Sequence, residues 1–247
     1  MAWAASLEND PPAISQRSVD GVPDQETSEP TEYRQYRFAL PPGATDLLLI
    51  RHGESAPARA DREAALTDGH SDPELDPVGE AQALRLADRL ASEEIAAIYV
   101  TSLRRTAQTA APLAAKLGVT PAVVPDLREV FLGEWEGSAF RKNITEAHPI
   151  AVQMMTEQRW DVIPGAESTE AFSERIKRGI TGIADAHPNQ RVAVVVHGGV
   201  IGIIMAMASG AGNFAFVGAD NASISQIVVH GDRWIVRRFN DTAHLED

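Results

Sequence analysis

Two short runs in this chain are apolar at every position, Leu47-Leu48-Leu49-Ile50 and Val192-Ala193-Val194-Val195-Val196. A strand with one wet face alternates polar and apolar residues, so unbroken runs bounded by turn formers predict strands buried on both faces of a parallel sheet. Residues 95–100 predict a third. Helical spacing fills the intervals. Asp76-Pro77 supplies an N-cap and a first-turn proline, and Leu84, Ala87 and Leu90, with Leu86 beside them, form the apolar face that follows. Leu103, Ala107, Ala110, Ala114 and Leu117 mark a second helix with Ser102 as its N-cap. Phe172, Ile176, Ile180 and Ile183 mark another, capped by Ser168 or Thr169 and stopped by Pro188. Residues 123–131 read as strand-like, and 141–160 as one or two helices broken near His148-Pro149. Residues 223–229 and 234–239, joined by His230-Gly231-Asp232-Arg233, predict a hairpin. This order predicts a three-layer α/β/α sandwich, its sheet mostly parallel with a C-terminal hairpin at the edge.

Residues 1–43 have a different character. Pro, Ser, Glu, Asp and Gln dominate from Glu8 to Glu32, and such a segment cannot bury enough apolar surface to offset its ordering entropy. It is expected to be a polar, disordered extension of a single domain spanning 44–247. Trp3, Tyr33, Tyr36 and Phe38 are its candidate anchors, onto the domain or onto a second subunit in a homodimer.

Both apolar runs end in chemistry. The first closes on Arg51-His52-Gly53-Glu54-Ser55 and the second on His197-Gly198-Gly199. In open α/β sheets ligands bind just past the carboxyl ends of the strands, so these residues are delivered to the rim of a crevice. Gly53 permits a sharp turn and leaves its amide free to approach a ligand. Arg105 falls in the first turn of the second helix, where the dipole already favours an anion. A cation there is unfavourable unless it has an anion of its own to bind. The connection 56–71, with Arg59 and Arg62, would hang over the crevice.

Composition narrows the partners. The formal charge is -13, which disfavours nucleic acid and anionic membrane surfaces but not a small anion met by local cations. Cysteine is absent, so disulfides, thiolate metal sites and cysteine nucleophiles are excluded. No apolar run reaches the length of about 18 residues needed to span a membrane. The N-terminus lacks the basic and apolar regions of a secretion signal, so a cytoplasmic protein is expected. HExxH, an Asp-x-Asp nucleophile loop and a Walker-type loop are all missing, so neither metal nor cofactor is expected.

Four motifs, in order, resemble those of the histidine phosphatase superfamily, the group that includes phosphoglycerate-mutase-like enzymes. They are Arg51-His52-Gly53-Glu54-Ser55, Ser102-Leu103-Arg104-Arg105-Thr106-Ala107-Gln108-Thr109-Ala110, Leu127-Arg128-Glu129 with Gly133-Glu134-Trp135-Glu136-Gly137, and Val196-His197-Gly198-Gly199. The similarity spans about residues 45–240 and implies a phosphoglycerate-mutase-like fold. It implies His52 as a phosphate-accepting nucleophile, Glu129 as proton donor and His197 as a stabiliser of the transferring group. Arg51, Gly53, Ser55, Arg105 and Gly198 would bind phosphate. By composition alone Glu54, Glu129, Glu134 and Glu136 are equivalent; the resemblance singles out Glu129. Pro164-Gly165-Ala166-Glu167-Ser168 resembles a segment of the compact phosphatase branch.

The implied activity is metal-independent hydrolysis of a small anionic phosphorylated metabolite through a phosphohistidine. Cofactor-dependent phosphoglycerate mutation is the alternative. Against it, Ala56-Pro57-Ala58 lacks the aromatic residue and asparagine usual in the mutases, and their double-arginine insertion is absent. An inactive binding member of the superfamily is a third reading, opposed by the presence of all the core positions. Substrate choice would lie with 56–71 and 138–163, where Arg141 and Lys142 are candidates for a second anionic group or plain surface charges.

Overall fold

Strand β1 (Thr45–Arg51) and strand β6 (Arg191–Val196) are the two apolar runs, and they lie side by side and parallel, Asp46 opposite Arg191 and Arg51 opposite Val196. The computed structural model describes residues 32–59 and 65–246. Trp3, Arg62 and most of the expected extension fall outside them. The chain divides into two units after Phe38; of the first, residues 32–38 carry no helix or strand.

In chain order the second unit also contains a small hairpin, β2 (Leu66–Thr67) and β3 (His70–Ser71), then helix α1 (Pro77–Leu90), strand β4 (Ile95–Val100) and helix α2 (Arg104–Leu117). Strand β5 (Ala122–Val123) is followed by helices α3 (Ala139–Thr145), α4 (Pro149–Glu157) and α5 (Thr169–Ala186). After β6 come helix α6 (Gly198–Ser209) and strands β7 (Ile224–His230) and β8 (Arg233–Asp241). The main sheet has the order β5-β4-β6-β1-β7-β8. Its first four strands are parallel, and β7 and β8 form the antiparallel edge hairpin.

Successive side chains of a strand point to opposite faces, which sorts the core into two layers. Leu48, Ile50, Ala193 and Val195 meet Leu86 and Leu90 of α1 and Ala110 and Leu113 of α2. Leu47, Leu49, Val192 and Val194 meet Phe172, Ile176 and Ile180 of α5 and the first turns of α6. The three-layer sandwich expected from the pattern is the observed one.

Local differences have identifiable causes. Leu84 is exposed and Ala83 takes its place on the buried face of α1, with Leu86, Ala87 and Leu90. In α2 the buried stripe includes Thr106, Thr109 and Leu113, while Ala107 faces solvent. The two threonines can be buried because their hydroxyls bond carbonyls one turn back, Thr106 to Leu103 at 2.8 Å and Thr109 to Arg105 at 2.7 Å. Of the expected 123–131 strand only Val123 pairs in the sheet's register, together with Ala122 just before it. Pro125 starts a 3₁₀ turn there, and the carbonyls of Asp126, Arg128 and Glu129 are satisfied instead by the Arg175 guanidinium at 2.7, 2.7 and 2.8 Å. Ser168 caps α5 by accepting from the Ala171 amide, and the break at His148-Pro149 separates α3 from α4.

Candidate active site

From β1 the chain leaves toward α1 on one face of the sheet; from its neighbour β6 it leaves toward α6 on the other. Between two such strands the departing loops part, leaving a crevice at their carboxyl ends. His52 and His197 are the first residues past the two strands. The His52 amide donates to the Val196 carbonyl at 3.0 Å, and the two imidazoles stand edge to face with centroids 5.3 Å apart.

Each ring is oriented by a neighbour. His52 Nδ1 lies 2.7 Å from the Gly53 carbonyl, which can only accept, so Nδ1 carries the proton and Nε2 keeps its lone pair. His197 Nε2 lies 3.0 Å from Thr101 Oγ1. That hydroxyl already accepts from the Leu103 amide, which leaves its proton for His197 Nε2 or for Thr106. His197 is fully buried, and its Nδ1 has no hydrogen-bond partner among the described residues. Both histidines are held well below the ordinary imidazole pKa, first by burial and next by the Arg105 charge. Both are therefore neutral at pH 7.

The arginines converge on the same place. Arg51 donates Nη1 to the Ala219 carbonyl at 2.5 Å, while its buried Nε has no partner. Arg105 is only 7% exposed and is fixed by the Ser71 carbonyl at 2.8 Å. Burial lowers its pKa to about 10, which leaves it charged at neutral pH. Helix α2 starts at Arg104 rather than under a Ser102 cap: Asp72, from the end of the small hairpin, accepts from the Arg104 amide at 2.8 Å, and the Ser102 hydroxyl is buried without a partner. Buried polar atoms of proteins are nearly always paired. Arg51 Nε, next to His52, and His197 Nδ1, on the ring that meets His52, are two unpaired ones among the described residues, and they leave donors available to an incoming anion.

A cavity of about 590 Å³ is walled by Arg51, His52, Ser55, Arg105 and Glu129, with Phe140 and Trp160 among its apolar members; His197 stands behind His52 and does not line it. Glu129 accepts from the Val130 amide at 3.0 Å and the Gly199 amide at 3.1 Å, so its carboxylate sits at the amino end of α6. Its loop is clamped by Arg175, which also pairs with Glu167 at 2.7 Å.

Two expected phosphate binders, Gly53 and Gly198, adjoin the site without lining the cavity. The Gly53 amide is not free: it donates to Thr109 Oγ1 at 2.9 Å. What Gly53 provides is close approach, since a Cβ there would lie 2.6 Å from the Gly79 carbonyl. Neither Gly53 nor Gly198 lines the cavity; a Cβ on Gly198 would lie 3.5 Å from Arg51 Nε. Ser55 does line it, and its hydroxyl accepts from Arg141 at 2.7 Å. Sequence reasoning missed Asp72, Thr101 and Arg175. Only Arg175 had a visible signal, the isolated Glu167 eight residues upstream of it.

The family model of the histidine phosphatase superfamily (branch 1) matches residues 47–242, and the chain belongs to that superfamily. Among its relatives, phosphoglycerate mutase-like protein 4 of Arabidopsis thaliana is 33% identical over 207 residues, covering 82% of this chain and 87% of that one. The metal-independent phosphoserine phosphatase of the same plant is 34% identical over 209 residues, covering 81% and 83%. Among solved structures, a mycobacterial glucosyl-3-phosphoglycerate phosphatase superposes with a TM-score of 0.65 at 27% identity, over 81% of this chain and all of that one (100%).

Proposed function

We propose that this phosphatase hydrolyses a small phosphomonoester through a phosphohistidine at His52. The observation that carries the reading is the 2.7 Å approach of His52 Nδ1 to the Gly53 carbonyl, which assigns the proton to Nδ1 and leaves Nε2 bare beside Arg51 and the buried Arg105. In the first half-reaction Nε2 attacks phosphorus in line, the P–N bond forms and the ester P–O bond breaks. Glu129 in its acid form protonates the departing alkoxide. In the second half the Glu129 carboxylate takes a proton from water, the new P–O bond forms and the P–N bond breaks. Inorganic phosphate leaves, and both residues return to their starting states.

Arg51 and Arg105 face the equatorial oxygens as charge-assisted donors, and His197 adds Nδ1–H once Thr101 donates to its Nε2. Ser55 completes the wall. These cations supply the neutralisation that a divalent ion supplies in other phosphatases, so activity is expected to survive EDTA.

Relatives named for phosphoserine and glucosyl-3-phosphoglycerate support a small phosphorylated substrate. The mutase-like relative supports a second reading, transfer of the phosphoryl group back to a phosphoglycerate instead of to water. Quenching a reaction with ³²P-labelled substrate should leave acid-labile, base-stable label on the protein, absent in His52→Ala. Label on serine or a carboxylate would overturn the mechanism. Release of isomerised phosphoglycerate in place of inorganic phosphate would select the mutase.

A further inference from the structure

Residues 219–223, between α6 and β7, hold Arg51 and His52 through their backbone. The Ala219 carbonyl accepts from Arg51 Nη1 at 2.5 Å, and the Ser223 carbonyl accepts from the Arg51 amide at 3.2 Å. The Ala222 amide donates to the carbonyls of Arg51 at 3.0 Å and His52 at 3.2 Å, and Asn221 Nδ2 donates to the His52 carbonyl at 2.9 Å. Ala222 has a φ of 57°, a left-handed conformation that a residue with a Cβ keeps only when its surroundings hold it there.

Two side chains from β8 and the turn after it supply that hold. Asn240 accepts from the Asp220 amide at 2.6 Å and donates Nδ2 to Asp220 Oδ2 at 2.7 Å. Its own φ is 56°, and its amide bonds Ser225 Oγ at 3.1 Å beside a shift in register between β7 and β8. The Asp220 charge reaches Arg51, so Asn240 also fixes where that negative charge stands relative to the phosphate-binding cation. His244 sits in a turn closed by the Ala243 amide on Asp241 Oδ1 at 3.1 Å and the Leu245 amide on the Thr242 carbonyl at 2.8 Å. Its Nε2 lies 3.0 Å from the Ala222 carbonyl, which can only accept, so Nε2 is the donor. Ala222 is fully buried, and neither Asn240 nor His244 lines the cavity.

We propose that Asn240 and His244 are positioning residues of the catalytic centre: by gripping Asp220 and Ala222 they keep the 219–223 loop in the conformation that presents Arg51 and His52 to phosphate. The proposal rests on the phosphatase reading and adds to it two residues outside every motif of the site.

The test uses three variants of the full chain. Asn240→Gly removes the side chain while glycine keeps the left-handed backbone without strain. His244→Leu removes the donor, and His244→Gln places an amide donor near the position of Nε2. Displacing reacting groups by about 1 Å costs up to about a hundredfold, so kcat/KM on p-nitrophenyl phosphate should fall roughly tenfold to a hundredfold in Asn240→Gly and His244→Leu. Inorganic phosphate should bind more weakly to both, at a temperature where circular dichroism shows them folded, and His244→Gln should recover most of the loss. Unchanged turnover and phosphate affinity in both would overturn the proposal. A loss that His244→Gln shares in full would overturn it for His244, because packing and not the hydrogen bond would then be at work. Should His244→Leu be unfolded, Asn240→Gly decides. Hydrolysis by the wild type establishes the phosphatase reading whatever the variants do. If the wild type cleaves no ester, that reading falls, and a phosphate affinity that is equal in all the proteins, or absent, overturns this proposal as well.

Discussion

Four glutamates stand in or beside the site motifs, and their neighbours separate them. Glu54 and Glu134 are exposed and do not line the cavity. Glu136 accepts from the Ser71 amide at 2.7 Å, from the Ser71 hydroxyl and from the Leu132 amide at 2.9 Å, so it ties the small hairpin to the 132–137 loop. Glu129 alone among them lines the cavity. A general acid matters most for a poor leaving group, because an alkoxide must be protonated as its bond to phosphorus breaks while a nitrophenolate departs unaided. Glu129→Gln should therefore cost about 10²-fold or more on an alkyl phosphate and much less on p-nitrophenyl phosphate. Equal losses on both, with the unequal loss found at Glu136 or Glu54, would move the proton donor there. At this scale the sequence carried the side chains whose type is itself chemical, such as His52 and Arg105. It hid Thr101 and Asp72, because a threonine at a strand end or an aspartate in a loop has the same type whether it orients a catalytic ring or faces water.

Elements were legible where a period or a cap is local. The α5 stripe from Phe172 to Ile183 and the Asp76 cap of α1 needed nothing beyond their own residues, and both stand as read. The 123–131 segment was misread because its carbonyls find Arg175, 46 to 49 residues away in the chain, rather than a neighbouring strand. Gly79 was not singled out for a related reason. It lies inside α1, where glycine costs about 1 kcal/mol relative to alanine, yet a Cβ there would lie 2.0 Å from the Glu54 carbonyl oxygen. The helix is thus seated directly on the backbone that follows His52. Gly79→Ala sets a propensity gain of about 1 kcal/mol against that backbone clash, and the clash should win. A lower melting temperature together with a fall in kcat is the expected outcome. A stabilised, fully active Gly79→Ala would show that α1 can shift without disturbing His52.

For the whole molecule, the two buried imidazoles couple the site to stability. An unfolded histidine titrates near 6.5, whereas His52 and His197 titrate well below that when folded, chiefly through burial. Below pH 6.5 the unfolded chain binds protons that the folded chain refuses, so stability is complete above 6.5 and declines as pH falls. Each histidine contributes a slope of up to about 1.4 kcal/mol per pH unit in that window. Urea midpoints taken from pH 7.5 down to 5 should fall, and the fall should be shallower in His197→Ala; a flat profile would contradict the neutral, buried pair. A second consequence follows from the position of β6. Asp46 and Arg191 are opposite each other in the sheet but 145 residues apart in the chain, and β6 lies between β1 and β4, both made long before it. A nascent chain released after α5 has His52, the proposed nucleophile, but not His197. Its β1 and β4 then present open backbone edges toward the missing strand, the kind of surface that invites aggregation and chaperone capture. Truncated products of synthesis are therefore expected to be catalytically silent and poorly soluble, and activity appears only when the last central strand is inserted.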